Sequence, residues 1–493
     1  MGETQQATQA TLQEAFLSGD TEGCLMMART LATISGIGLH PLEALLPVAE
    51  THDRRSELLD LTSRLAETAP QDCRLLELGA TLLMQLGSLD EAEARLREAL
   101  QRRPGHLPAL SVLSCTLAQA GRFTDAREVL RQMQALDPQD PAALSNIAYI
   151  TAANGELHEA INLYRQAIQI KPDHPQMRLN YSIALLKAGY FQQGWSEHEW
   201  RFRLPGHTSL PMDRLLPNIT DRLDLRGKHV LVTQEEGYGD TFMYLRYLPL
   251  LSQKGAIIRV WGADIMADLC ARVQGVDSVQ FGGTTPHYDY HCPFISLPRA
   301  FAASPDPFGV SPPYIKADPA KSARFATRLR DDRYLRVGLV WSGAPRRDQT
   351  EPFMLDQRRS MALETLRPLF DLPDTRFYSL QKGAAATQLE GGATPIIDLM
   401  PECQTMDDTA ALIDNLDIVV SVDTSVVHLA GAMNKPVLLM DRINPCWRWM
   451  TNREDSPWYP SLRILRQTHA WDWSDVVSSV RSLLNDEAER KKS

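Results

Sequence analysis

Residues 408–440 read DTAALIDNLDIVVSVDTSVVHLAGAMNKPVLLM, and this stretch decides the fold of the second half of the chain. Apolar residues at helical spacing through 406–415 give way to a short β-branched run at 417–421 (DIVVS). A second helical stretch follows at 424–433, then a second apolar run at 436–440 (PVLLM). Short buried strands alternating with helices predict a parallel sheet joined by crossover helices. Outward from this core, further strands are expected at 229–233 (HVLVT), 256–261 (AIIRVW), 335–341 (LRVGLVW) and 376–380 (RFYSL). Helices are expected at 240–253, 264–273 and 361–370.

This pattern is too long for one doubly wound domain, and the proline-rich segment 286–319 divides it. The reading is two Rossmann-like domains, 228–318 and 319–475, facing a cleft, with a C-terminal helix at 476–493. Ligands of such sheets bind at the carboxyl ends of the strands.

Upstream the texture changes. Residues 205–227 hold several prolines and read as a linker. Before it, Gly87, Gly121, Gly155 and Gly189 recur every 34 residues. Ala92, Ala126, Ala160 and Gly194 follow in register, and so do Pro70, Pro104, Pro138 and Pro172. Leu96, Leu130 and Tyr164 hold a third register. The period and pattern resemble the tetratricopeptide repeat (TPR), a helix–turn–helix unit. The glycine serves the turn, the small residue permits close helix approach, and the proline ends the second helix. Units are placed at 73–106, 107–140 and 141–174, with a last helix pair at 175–204 running through Tyr181 and Trp195. Residues 1–72 are helical and fit the repeat poorly, as degenerate repeats or a cap. Such solenoids present a concave surface that binds polypeptide. A purely structural or dimerising array is the bland alternative.

The composition narrows the function. The chain has 493 residues, 44% hydrophobic and 23% charged, with net charge −10. The acidic balance argues against a nucleic-acid binder that works by phosphate attraction. The seven cysteines form no C-x-x-C pair, so neither a zinc site nor a redox motif is expected. No secretory signal and no apolar run of about 20 residues is read, which suggests a cytoplasmic protein without stable membrane insertion.

Three strand ends carry candidate chemistry. After 229–233 comes QEEGYGDT, in which Gly237 and Gly239 allow a tight turn and Asp240 opens a helix. Asp240 reads as an N-cap, as a general base facing the cleft, or as both. After 417–421 comes SVDTSVVH: Thr424 and Ser425 at a helix start leave backbone N–H groups for a phosphate. Thr424 and His428 lie four apart on one helix face, and a capped helix with a buried histidine is the equal alternative. After 335–341 comes WSGAPRR, leading to Arg358-Arg359-Ser360. Arginine forks match phosphate oxygens, although Arg346 and Arg347 read better as solvated charge. Gln381-Lys382-Gly383 offers one more cation at a strand end. No P-loop, no dinucleotide glycine fingerprint and no D-x-D metal motif is found.

The stretches EEGYGDTFMYLRYLPLL, VGLVWSG, RRSMAL, FYSLQKG, DTAALIDNLDIVVSVDTSVVHLAGAMNKPV and WRWM…DSPWYPSLRILRQ resemble bacterial TPR-containing glycosyltransferases. The catalytic half of these proteins is similar to the heptosyltransferases. Related groups are TPR protein O-glycosyltransferases and flagellin glycosyltransferases. The resemblance implies a GT-B fold, with a nucleotide-sugar donor in the C-terminal domain and the acceptor toward the N-terminal one. It implies Asp240 as general base. Donor contacts would come from Gly237, Gly239, Ser342, Gly343, Arg359, Gln381, Lys382, Asp423, Thr424, Ser425 and His428. Asp408 and Thr409 would line the nucleotide site. No metal and no other cofactor is expected. Trp447, Trp449, Trp458 and Tyr459 read as packing rather than sugar stacking. The fused repeats suggest a polypeptide acceptor, with flagellin or another surface protein as the family's example, and self-association through the repeats stays open. The rivals are transfer to a lipopolysaccharide or lipid-linked acceptor, and a non-catalytic scaffold.

Overall fold

The computed structural model describes residues 2–34, 40–204, 207, 209–302, 307–329, 333–390 and 395–492. The chain forms two compact units: Met1–Pro172 with Pro345–Arg358, and Asp173–Ala344 with Arg359–Ser493.

The first unit is helical. Helices Cys73–Leu86 and Leu89–Arg102, Leu107–Gln119 and Phe123–Leu136, Pro141–Ala153 and Leu157–Ile170 form three antiparallel pairs. Gly87, Gly121 and Gly155 turn each pair with φ of 86°, 78° and 87°, a conformation that costs a side chain dearly. Ala92, Ala126 and Ala160 are fully buried at the helix crossings. Each second helix stops two residues before its proline. Upstream, helices Gly2–Ser18, Thr21–Ile34, Leu46–Thr51 and Arg55–Thr68 share one apolar core with the first repeat through Leu75, Leu78 and Leu82. This region therefore closes the end of the array.

The second unit begins inside the repeats. Helices Pro175–Lys187 and Phe191–His198 complete the repeat pattern, and Gly189 keeps its positive φ of 84°. They nevertheless cluster with the α/β region. Trp195 sets its ring edge-on to Trp447 at 5.0 Å and to Tyr244 at 6.0 Å. Buried Lys187 donates to Asn444 Oδ1 at 2.7 Å. Aromatic burial on one flank thus moves the boundary from the expected 204 to 172.

Pro205, where the linker is expected to begin, lies outside the described residues, as do residues 206 and 208. The rest of that segment is not a free tether. Leu216 N donates to His291 O at 2.8 Å, Ile219 N donates to Ala300 O at 2.8 Å, and Leu216 and Leu225 are buried in the α/β core.

Strands β1 (His229–Thr233), β2 (Ile257–Trp261), β3 (Val276–Gln280) and β4 (Tyr290–Pro293) form a parallel sheet in the order β3-β2-β1-β4. Strands β5 (Leu335–Val340), β6 (Thr375–Ser379), β7 (Ile396–Asp398), β8 (Ile418–Val422), β9 (Val437–Asp441) and β10 (Leu462–Arg466) form the second, in the order β10-β9-β8-β5-β6-β7. Every strand pair in it is parallel. Read from β5, this is the Rossmann strand order. The six expected strands are present within a residue of their expected ends, and β3, β4, β7 and β10 are additional. β4 falls inside the proline-rich divider and is buried there as the edge of the first sheet. The helix expected at 361–370 is a 3₁₀ helix, Leu363–Leu369, with Pro368 inside it. A proline removes one N–H of an α-helical ladder, and the looser element results.

Candidate functional site

Both sheets reverse their strand order at one point, between β1 and β4 and between β5 and β8. Crevices at such reversals hold ligands in doubly wound folds. At the first lies a pocket of about 580 Å³, lined by residues that include Gln234, Glu235, Glu236, Trp261, His291 and Pro293. At the second, Ser342 and Gly343 follow β5 and Asp423, Thr424 and Ser425 follow β8.

Two helices join these crevices, Tyr238–Tyr244 after β1 and Ser425–Ala432 after β8, and they pack against each other. Their approach depends on Gly239. A Cβ placed there would stand 2.7 Å from His428 Cδ2, so no other residue fits without displacing the imidazole. His428 is buried, lies stacked on Trp449 at 5.2 Å, and shares a 3.0 Å hydrogen bond between Nδ1 and the Tyr459 hydroxyl. Burial lowers its pKa to about 4, opposed by Asp423, so the ring is neutral at ordinary pH.

Asp240 is not the N-cap. Gly237 occupies that position, and Asp240 sits in the first helical turn. The extended backbone at Gly237 starts the helix earlier than the carboxylate alone suggests. The Asp240 carboxylate is ion-paired with Arg448, and both side chains are largely buried, at 18% and 15% exposure. The Arg448 guanidinium also lies over the Trp447 ring at 4.5 Å and donates to Cys446 Sγ at 3.0 Å. Among the described residues, the Tyr244 hydroxyl, Arg448 Nε and Trp449 Nε1 are buried without a hydrogen-bond partner. Buried polar atoms are rarely left unpaired, and three around one ion pair mark a place where a polar ligand would be welcome.

Glu235 and Glu236 face different fates. Burial pushes the Glu235 carboxyl up, but hydrogen bonds from Arg201 (2.8 and 2.9 Å) and His207 (2.8 Å) more than offset it and hold the group low. Glu236 lines the pocket, and its carboxyl is raised by burial and by the negative charges of Asp240 and Glu235. It is the carboxyl of the pair better suited to exchange a proton.

On the donor side, Thr424 is the N-cap of the Ser425–Ala432 helix without a side-chain cap bond; its hydroxyl meets Ser421 Oγ at 3.2 Å instead. Val427 N donates to the Thr424 carbonyl at 3.2 Å, which leaves the amides of Ser425 and Val426 to face an anion. Arg359 Nη1 donates to the Asp423 carbonyl at 3.0 Å, which brings that cation to the same strand end. Four other expected residues have partners within the protein. Gln381 is buried as a brace: its Oε1 accepts from Trp341 N (3.1 Å) and Ser342 N (3.0 Å), and its Nε2 donates to Ser342 O (2.9 Å). Gly343 N is engaged by Ser360 Oγ at 2.9 Å. Lys382 donates to the Cys403 carbonyl at 2.5 Å. Asp408 accepts from Thr405 N at 2.9 Å in a capping box and receives Lys321 at 3.2 Å.

The sequence reading missed Arg448, Glu236, Tyr244 and Asp441. Asp441 ends β9 beside β8, fully buried, and burial pushes its carboxyl up to about 6 against the pull of Arg466. The four aromatic residues pack as expected, Trp449, Trp458 and Tyr459 being almost fully buried and Trp447 nearly so.

Buried imidazoles give this unit an acid limit. Burial depresses His428 to about 4 and His198 to about 3, below the ordinary imidazole value of about 6.5. Their stabilisation is complete above the unfolded value near 6.5 and is lost as pH falls toward the folded values. Asp441, raised from 3.8 to about 6, works in the opposite sense across the same window. The melting temperature is expected to fall between pH 6.5 and 4, and His428→Gln to flatten that fall. A variant whose acid limb parallels the parent would show that His428 does not contribute.

A glycosyltransferase family 9 (heptosyltransferase) model matches residues 379–442, which span β8, Asp423–His428 and β9. Tetratricopeptide-repeat models match residues 83–148 and 142–176. The chain is thus similar to glycosyltransferase family 9 over part of its second sheet, and to tetratricopeptide repeats upstream of it. The open helix N-terminus at Thr424 and the stacked His428 thus lie inside the family 9 segment, while Asp240 and Arg448 lie outside it. Protein FlbA of Caulobacter vibrioides is 24% identical over 349 residues, covering 63% of this chain and 55% of FlbA. The chain thus spans little more than half the length of that relative. Among solved structures, a thermophilic TPR protein of Thermus thermophilus is 20% identical, with TM-score 0.30, over 37% of this chain and 99% of its own. A tetratricopeptide repeat protein from Parabacteroides merdae is 14% identical, with TM-score 0.32, over 42% and 82%. No helix among the described residues is long and apolar enough to cross a membrane.

Proposed function

We propose that the protein transfers a sugar from a nucleotide-sugar donor to an acceptor hydroxyl. One observation carries the reading. Inside the family 9 segment an uncapped helix N-terminus lies at one strand reversal, and its helix packs directly on the helix that carries Asp240 at the other. Amides and a helix dipole suit a diphosphate, and a carboxylate suits a hydroxyl that must lose a proton.

In this mechanism the donor's diphosphate lies on the amides that follow Thr424, with Arg359 beside it. Asp240 takes the proton of the acceptor hydroxyl as its oxygen bonds to the anomeric carbon. The bond from that carbon to the diphosphate breaks, and the nucleoside diphosphate leaves with the electron pair. Arg448 has two parts. It holds Asp240 oriented before the donor binds, and it is near enough to Asp423 for the two charges to interact. A diphosphate competes for its guanidinium and frees Asp240 to act as a base. Cations and helix amides stabilise the leaving group in this scheme, so no metal is required. The acceptor is proposed to be a polypeptide held by the repeats, because stacked helical repeats present an extended concave surface.

Calorimetric titration of the full chain with UDP-, GDP-, ADP- and CMP-linked sugars, with and without EDTA, tests the donor side. Binding of one class, indifferent to EDTA and lost in Asp423→Ala, is expected. No binding to any class defeats the reading. Incubating the enzyme with that donor, radiolabelled, and a bacterial extract tests the acceptor: label is expected in protein, and label confined to the lipid fraction would move the acceptor to a lipid-linked glycan.

A further inference from the structure

The first sheet reverses between β1 and β4, and one side chain joins the two edges of that crevice. Arg201 stands in the 3₁₀ helix Glu199–Arg203, just after the last repeat, and is 3% exposed. Its Nε donates to Glu235 Oε1 at 2.8 Å and its Nη2 to Glu235 Oε2 at 2.9 Å, a two-pronged bond to a residue just past β1. Nη2 also donates at 2.7 Å to the hydroxyl of Ser296, just past β4. Nη1 donates to Glu199 Oε1 at 2.7 Å and to the His198 carbonyl at 3.4 Å. Arg201 and all of these partners belong to the second unit.

This is more than burial of a charge requires. A guanidinium has five N–H donors in a rigid fork, and here each of them has an acceptor. The paired bonds fix the plane of the Glu235 carboxylate as well as its charge. The far side is braced in turn: Ser296 Oγ donates to Glu199 Oε1 at 2.9 Å, and Arg299 pairs with Glu199 at 3.3 Å.

What is held lies next to the proposed chemistry. Glu235 precedes Glu236, which lines the crevice, and Gly237, the N-cap of the helix that carries Asp240. Without such a tie the turn after β1 would sample other conformations, and the groups on it would share that freedom.

We propose that Arg201 is a positioning residue for proton transfer: by tying the end of β1 to the end of β4 through Glu235 and Ser296, it fixes where Glu236 and the start of the Asp240 helix stand in the crevice. The inference rests on the reading of that crevice as the acceptor side.

Charge supplies a signature that a merely structural brace lacks. Burial, Asp240 and Glu235 raise the Glu236 carboxyl, and Arg448 and Arg201 lower it. Glu235 itself faces Arg201 and His207. Arg201→Gln removes a charge that lowers Glu236 and leaves Glu235 to raise it, so the acid limb of the rate should move to higher pH. Glu235→Gln removes a charge that raises Glu236, so the limb should move to lower pH.

The test uses the full chain, the nucleotide sugar that the parent binds among UDP-, GDP-, ADP- and CMP-linked donors, and the fraction of a bacterial extract that the parent labels. Arg201→Lys keeps the charge but not the fork. It is expected to slow label transfer by about 10–10²-fold, as a misplacement of about 1 Å does, at unchanged affinity for the nucleotide sugar. Arg201→Gln should be slowed at least as much and show the upward shift of the acid limb. If Arg201→Gln does not fold, Arg201→Lys and Glu235→Gln decide. Transfer at the parent rate by Arg201→Lys would overturn the proposal and leave the donor reading intact. So would a lowered melting temperature with the acid limb unmoved in Glu235→Gln, which would leave the network a structural role alone. Failure of the parent to bind any of the four donor classes would overturn the proposed function itself, and this inference with it.

Discussion

Asp240→Asn is expected to slow sugar transfer by about 10²–10⁴-fold, the usual worth of a positioned general base. Affinity for the nucleotide sugar should change little, because in this scheme the carboxylate meets the acceptor and not the diphosphate. Asparagine is the informative replacement. Its carbonyl still accepts from Arg448, so the buried guanidinium keeps a partner and the helix contact at Gly239 is undisturbed. Glu236→Gln is the comparison. Glu236 lines the same crevice, and burial together with Asp240 and Glu235 raises its carboxyl. With Asp240 as base, Glu236→Gln should shift the acid limb of the pH–rate profile and leave most of the maximal rate. If Glu236→Gln costs as much as Asp240→Asn and also abolishes the acid limb, the base is Glu236. Asp240 would then serve to hold Arg448. Single-turnover rates at saturating donor keep these outcomes separate from product release.

The fold was legible where one physical rule governs a long stretch. The 34-residue register of Gly87, Gly121 and Gly155 announces turns with positive φ, and each of them has one. The apolar runs at 417–421 and 436–440 announce β8 and β9, which are buried throughout. Edge strands were not legible. β3 is only half-buried, with exposed residues in its middle, and β7 has three residues, so neither shows an apolar run. The start of the second compact unit inside the last repeat was not legible, because that repeat keeps its sequence register while Trp195 packs on Trp447. The site shows the same split. The glycines and hydroxyls of the two strand ends were readable, because backbone approach and open amides leave a local signature. Arg448 was not, because its meaning depends on a carboxylate 208 residues away. Its only local signal is a lone cation between Trp447 and Trp449. Gln381 looked like a ligand residue from its place at a strand end. Only the path of the backbone shows that its amide closes the Trp341–Ser342 turn.

Arg448→Met should be among the most destabilising single changes in the second unit, costing about 3–5 kcal/mol, as when one member of a buried ion pair is removed. Asp240 would be left without its cation at the contact between the two lobes, with Glu236 adding repulsion nearby. Most of that loss is a penalty on the abandoned carboxylate, so it should be recoverable. In the double variant Asp240→Asn with Arg448→Met no charge of the pair remains, and a thioether fills much of the guanidinium's volume against Trp447. Denaturant unfolding of the parent, the two single variants and the double variant closes a cycle that measures the coupling. A coupling near zero would mean that water already satisfies both groups and that the pair is an incidental surface bridge. A large coupling would carry a consequence for mechanism. Freeing Asp240 in the ground state would then cost about as much as the pair is worth, so an enzyme that uses Asp240 as base needs something to take over Arg448. A donor diphosphate supplies that anion, so nucleotide should raise the melting temperature of Asp240→Asn more than that of Arg448→Met, which has no guanidinium to offer it.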